Sequence, residues 1–274
     1  MRDPQKGDSE NRSNIGAISC ETARPVSGEG IVAYVINLDR SIERWTHIDR
    51  QAQLFGLDVR RVAGVEIAKA SPEGDWPNYD RKAFVRGNGR PMLAAEYGCY
   101  LAHLGAINAF LATDAECAVI MEDDVDLDAN LLRRAQDIRQ TVPFADVVKL
   151  LNHRTVLFRS IAQSVYGDQI GKCFFGPQGS AACYLITRRG ALQLVAALQR
   201  IAFPFDIALE RGWATDLQVY TVKDNLIALS VRSKESQIAD RARYRSIKLR
   251  GHRKIPTHLF RIVELFRRAR YALA

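Results

Sequence analysis

The sequence predicts an α/β fold built on a mostly parallel central sheet flanked by helices, and three observations carry that expectation. Residues 31–38 (IVAYVINL) and 117–121 (CAVIM) are short apolar runs unbroken by charge, as strands covered on both faces of a sheet require. Residues 42–55 are an amphipathic segment that stops at Gly56, a residue suited to a helix C-cap. Residues 59–65 return to a strand pattern, and such a β-α-β opening predicts a parallel pair joined by a right-handed crossover. A chain of 274 residues, 47% hydrophobic and 26% charged, fits one large globular domain with tails.

The remaining elements follow in order. Residues 1–30 are rich in Ser, Gly, Asn, Arg and Glu without an apolar core, so they predict a disordered tail and no secretory signal. Pro72, Gly74, Pro77, Gly87 and Gly89 make residues 69–90 a long loop, suited to a lid or an acceptor wall. Residues 92–112 return to helix, with Glu96, Tyr100, His103 and Ile107 on one face. His103, set among alanines and leucines, reads as a satisfied core residue. After residues 117–121 comes a helix from about 129, a strand at 146–151, an irregular polar span to 178, a strand at 181–186 and a helix over 188–200. No solenoid or propeller period is visible.

Five acidic side chains, Glu122, Asp123, Asp124, Asp126 and Asp128, fall within seven residues at the carboxyl end of the 117–121 strand. Ligands of open α/β sheets bind at such ends. Carboxylates this close repel one another unless a proton or a cation intervenes. Asp128 suits the N-terminus of the next helix, and Asp126 suits either role. Glu122, Asp123 and Asp124 precede any helix, and metal or substrate binding accounts for them better.

The formal charge of +8 is unevenly spread. Residues 232–274 hold 13 Lys or Arg against 3 Asp or Glu, a balance of +10, which leaves 26 against 28 in residues 1–231. Within that basic end, Leu259, Ile262, Val263, Phe266 and Leu273 recur at helical spacing with the arginines largely elsewhere. Two readings stand side by side: an interfacial helix on an anionic membrane surface, or a helix packed on the protein body or a second subunit. The aromatic residues there form no single-strand binding pattern, so no nucleic-acid partner is expected. No apolar stretch reaches the roughly 20 residues that cross a bilayer. Five cysteines without a CxxC pair favour a reducing, cytoplasmic setting, peripheral on the membrane's inner face under the first reading. The expected divisions are a tail over 1–30, a catalytic domain over 31–231 and a basic amphipathic segment over 232–274.

Six segments in order resemble glycosyltransferase family 25, the bacterial lipooligosaccharide sugar transferases and the enzymes that glycosylate collagen hydroxylysine. They are residues 35–41 (VINLDRS) with Arg44 and Trp45 nearby, 61–65 (RVAGV), 95–104 (AEYGCYLAHL), 120–125 (IMEDDV), 179–191 (GSAACYLITRRGA) and 204–206 (PFD). Ala102 stands where relatives often carry Ser.

The resemblance implies a GT-A type nucleotide-sugar fold in which the acidic triplet does the work of an Asp-x-Asp motif. Glu122 and Asp124 would then hold Mn²⁺ or Mg²⁺ through hard oxygen ligands. In an extended segment Asp123 points the other way, toward the donor ribose or sugar. Asn37, Asp39 and Arg40, at the end of the first strand, suit the nucleotide, with helix capping the alternative for Asp39. The reaction implied is inverting transfer of a hexose, galactose or glucose, from a UDP-sugar to a glycan or lipid-linked glycan acceptor of a lipopolysaccharide type. Asp206 is the preferred base, with Glu96 next and Glu210 behind it; Glu96 also suits a helix cap. The alternative is a catalytically inactive member acting as an interaction protein, which would be marked by loss of the acidic triplet. That triplet is intact.

Overall fold

The computed structural model describes residues 30–67, 76–231 and 246–274. The expected N-terminal tail up to residue 29, the first part of the expected lid loop within residues 68–75 and the first part of the basic segment at residues 232–245 lie outside the described residues.

The chain order is β1 (Ile31–Asn37), α1 (Ile42–Phe55), β2 (Val59–Ala63), α2 (Arg81–Asn88), α3 (Ala94–Leu111), β3 (Cys117–Glu122), β4 (Val125–Asp126), α4 (Leu131–Thr141) and β5 (Val147–Lys149). It continues with β6 (Val156–Gln163), β7 (Gln169–Phe175), β8 (Cys183–Thr187), α5 (Arg188–Ala197), α6 (Phe205–Leu209), α7 (Gly212–Thr215), β9 (Val219–Val222) and β10 (Ala228–Leu229). A short 3₁₀ turn then leads into the last helix, α8 (Ile255–Leu273).

Eight strands form one sheet in the order β2-β1-β3-β8-β5-β9-β7-β6. The β1–β2, β1–β3 and β5–β9 pairs are parallel, whereas β3–β8, β5–β8, β7–β9 and β6–β7 are antiparallel. The sheet is therefore mixed, which corrects the expectation of a mostly parallel one. Burial on both faces reports that helices cover a strand, not which way it runs. β8 is buried at every position yet runs against β3. A second correction concerns residues 152–178: the expected irregular span contains the β6–β7 hairpin at the sheet edge.

Alternate residues of β3 feed two cores. Val119 and Met121 pack with Ile48 of α1 and Leu131, Ala135 and Ile138 of α4. Ala118 and Ile120 pack with Tyr100, Ala106 and Phe110 of α3 and Leu194 of α5. The result is a helix-sheet-helix sandwich. Helix α1 ends on Gly56 with φ 64°, the left-handed cap its sequence requires. Helix α3 lies so close to the segment after β2 that a Cβ at Gly98 would stand 2.3 Å from the carbonyl oxygen of Val65.

Candidate active site

The strand directions bring one set of residues to one edge. β1 and β3 are parallel with Ile36 beside Glu122, so Asn37 and the acidic triplet emerge together. β8 runs the other way, and its entry loop reaches the same edge, where Glu122 N–H donates to Ala182 O at 2.9 Å. β5 lies antiparallel to β8, so Lys149, its last residue, ends there too. The two-stranded β4–β10 ladder follows directly, and Ser230 N–H donates to Asp124 O at 2.8 Å, which fixes the backbone of the triplet.

The three acids have different surroundings. Asp123 accepts from Asn37 Nδ2 at 2.6 Å and from Arg44 Nη1 at 3.1 Å. Asn37 is itself buried and fully used: it also donates to Ser41 O at 3.1 Å and accepts from Arg61 Nε at 2.8 Å. Glu122 lies 3.3 Å from His103 Nε2, whose Nδ1 lies 3.2 Å from the Tyr184 hydroxyl. Asp124 has a buried Oδ1 with no hydrogen-bond partner. Burial first, then the charges of Glu122 and Asp123, push the Asp124 carboxyl up to about 7. A buried carboxylate oxygen without a partner beside a second carboxylate fits a hard divalent cation.

His103 is the satisfied core residue expected, fully buried with both ring nitrogens partnered, and one of those partners is Glu122. Its ring stacks on Phe205 with centroids 4.1 Å apart, and Phe205 carries Asp206 in the first turn of α6. Cys99, one helical turn before His103, completes a group with His103 and Glu122 whose donor atoms lie within 4.8 Å of one another. Burial and then the Glu122 charge push the Cys99 thiol well up, so it stays protonated and is a poor ligand beside the harder carboxylates. Burial likewise raises the Asp206 carboxyl, an effect that nearby Lys149 opposes and Glu210 adds to.

The other candidates divide. Glu96 is gripped on both oxygens by Arg90 and also accepts the Leu93 N–H at 2.9 Å, which makes it the capping acid of α3. Glu210 is buried, accepting from Arg268 Nη2 at 2.7 Å and from Gln178 N–H at 2.8 Å, with Lys149 Nζ at 3.8 Å. Neither is free to take a proton from an acceptor. Asp39 is exposed and accepts from Arg61 Nη2 at 2.8 Å, while Arg40 pairs with Glu66 at 3.1 Å; the N-cap of α1 is Ser41, not Asp39. Asp126 meets His47 at 2.8 Å, and Asp128 accepts the Asn130 N–H at 2.8 Å in the turn before α4.

Lys149 was not anticipated, although its sequence carried a signal. A lone lysine inside the run Val147-Val148-Lys149-Leu150-Leu151 must be buried, and a buried ammonium needs partners. It donates to Gly179 O at 2.8 Å, and burial holds its pKa below the usual lysine value.

A family model described as glycosyltransferase family 25 (LPS biosynthesis protein) matches residues 31–209, from the first residue of β1 to the last of α6. The match covers more than half of the chain, which belongs to glycosyltransferase family 25. Among curated proteins it is similar to a "Glycosyltransferase 25 family member" of Anopheles gambiae, 31% identical over 111 residues that cover 38% of this chain and 18% of the relative. The chain thus matches less than a fifth of that relative's length.

Proposed function

We propose that this glycosyltransferase has a GT-A type site that moves a hexose, galactose or glucose, from a UDP-sugar to a glycan acceptor of a lipopolysaccharide or similar glycoconjugate, with inversion. The single observation that carries the proposal is the unpartnered, buried Asp124 Oδ1 beside Glu122 at the strand edge. These two carboxylates would hold Mn²⁺ or Mg²⁺, which when bound neutralises the charge that gathers on the leaving diphosphate.

The chain's own groups then have distinct tasks. Asn37 and Arg44 fix Asp123 and so hold the turn that carries the end of the triplet. His103, seated between Tyr184 and Glu122, orients the Glu122 carboxylate. Asp39, Arg40 and Arg61 lie at the mouth of β1, where the nucleotide would sit. Asp206 is the base that takes the acceptor's hydroxyl proton, and its raised pKa strengthens it for that role. Ile207, the next residue, lines a cavity of about 650 Å³ walled by Phe175, Phe203, Trp213 and Phe260, a surface suited to the flat faces of sugar rings.

The proposal is tested by incubating the chain and Mn²⁺ with UDP-, GDP- and CMP-sugars and candidate acceptors. Release of UDP from UDP-galactose or UDP-glucose ahead of the others is expected. Turnover confined to a GDP- or CMP-sugar would overturn the donor assignment. The inactive-member alternative predicts no turnover of any.

A further inference from the structure

Helix α8 docks with its polar side inward. Arg268 reaches Glu210, and Glu264 accepts from Arg211 Nε at 2.7 Å and Trp213 Nε1 at 3.2 Å. The Tyr271 hydroxyl donates to Leu217 O at 2.7 Å and accepts the Val219 N–H at 2.6 Å. Arg159 Nη1 closes the end of the helix on Ala272 O at 2.7 Å. Thr257, Phe260, Glu264, Arg268 and Tyr271 therefore make the inner face.

The opposite face is apolar and bare. Ile255, Leu259, Ile262 and Phe266 follow one another at intervals of one helical turn, with Leu273 two turns further on, and Leu259, Phe266 and Leu273 are 60%, 70% and 65% exposed. An amphipathic helix that served only to close the fold would turn this stripe inward. Exposed arginines flank it: Arg261, Arg267 and Arg270, with Arg253 just before the helix. Glu264 is the only acid between Ser246 and Ala274, and it faces the protein body. A second copy meeting this stripe would bring two arginine-flanked faces together, and the one acid of α8, Glu264, is already held by Arg211 and Arg267. An anionic lipid surface supplies the apolar layer and the opposite charge together. The stripe also lies beyond residues 31–209, so the family match does not account for it.

We propose that the outward face of α8 is a membrane-docking surface, in which Leu259, Ile262, Phe266 and Leu273 enter the headgroup boundary of an anionic bilayer while the flanking arginines meet lipid phosphates. This rests on the packing of α8 and not on the transfer chemistry. It would hold the cavity beside α8, lined by Ile262 and Leu265, close to a lipid-borne glycan.

The test is co-sedimentation of the full chain with vesicles of phosphatidylcholine alone and of phosphatidylcholine mixed with phosphatidylglycerol, together with a Leu259→Ser/Phe266→Ser variant. Binding to the anionic vesicles is expected, declining as salt rises. The variant should bind about tenfold or more weakly at an unchanged thermal midpoint, because both side chains already face water. Equal binding by the two proteins, or no binding to anionic vesicles, would overturn the proposal. So would sedimentation equilibrium showing a wild-type dimer that the variant abolishes, which would assign the stripe to a second copy.

Discussion

Asn37 Nδ2 donates to Asp123 Oδ2 at 2.6 Å, joining the carboxyl end of β1 to the middle of the acidic triplet. The bond divides the triplet's labour. Asp123 is committed to Asn37 and Arg44, which leaves Glu122 and the unpartnered Asp124 Oδ1 to meet a ligand; residues 123 and 124 form a turn between β3 and β4, which corrects the expectation of an extended segment with alternating sides.

Asp124→Ala is expected to remove most transferase activity while the fold survives. Asp128→Ala should leave turnover intact and cost about 1 kcal/mol of stability from the lost turn at the start of α4. Steady-state kinetics and urea unfolding of the two variants check the division, and the reverse pattern would refute it.

The Asp124 carboxyl gives a pH signature without catalysis. Its folded pKa is raised from 3.8 to about 7, so between those values the folded metal-free chain binds more protons here than the unfolded one. Asp124 therefore contributes a fall in stability as pH rises from about 4 to about 7. Asp124→Asn should flatten that part of the profile, and Mn²⁺ should restore stability at pH 7 to the wild type alone. Thermal midpoints across the range would show it; parallel profiles for the two proteins would exclude it.

Asp206→Asn should lower kcat by about 10²- to 10⁴-fold and leave UDP affinity unchanged, as loss of a base requires. Because burial raises the Asp206 carboxyl, the acid limb of the wild-type rate profile should lie above the usual carboxylate range. A variant with full kcat would remove Asp206 from this role.

Arg268→Met and Glu210→Leu should each destabilise by about 3–5 kcal/mol, since each removes one partner of a buried ion pair. Glu210→Leu should be the worse, because Lys149 also loses its neighbour. The double variant should recover part of the loss in a denaturant-based cycle; additive losses would mean that the two residues do not act as a pair.

Much of this was legible in the sequence, for identifiable reasons. β1, α1 and β3 carry local signals, and the apolar run before Glu122 put that residue at the end of a strand. The helical period of residues 259–273 was visible too, but period alone does not say which face turns inward, and α8 inverts the usual arrangement. The β6–β7 hairpin was hidden because β6 is an edge strand with mostly exposed residues, so burial imposed no alternation on it. Helix α2 was hidden by Pro77, Gly87 and Gly89, although Asp80 caps it by accepting the Ala83 N–H at 2.8 Å. Pairs such as Glu210 with Arg268 are made by tertiary folding and leave no local pattern.

A cation held by Glu122 and Asp124 is the centre of the proposed reaction, and its most direct test is UDP-sugar turnover by the full chain in excess chelator, followed by addition of Mn²⁺ or Mg²⁺. The expected result is turnover abolished by the chelator, restored by the metal in the wild type and not restored in Asp124→Ala. Undiminished turnover in excess chelator would contradict it.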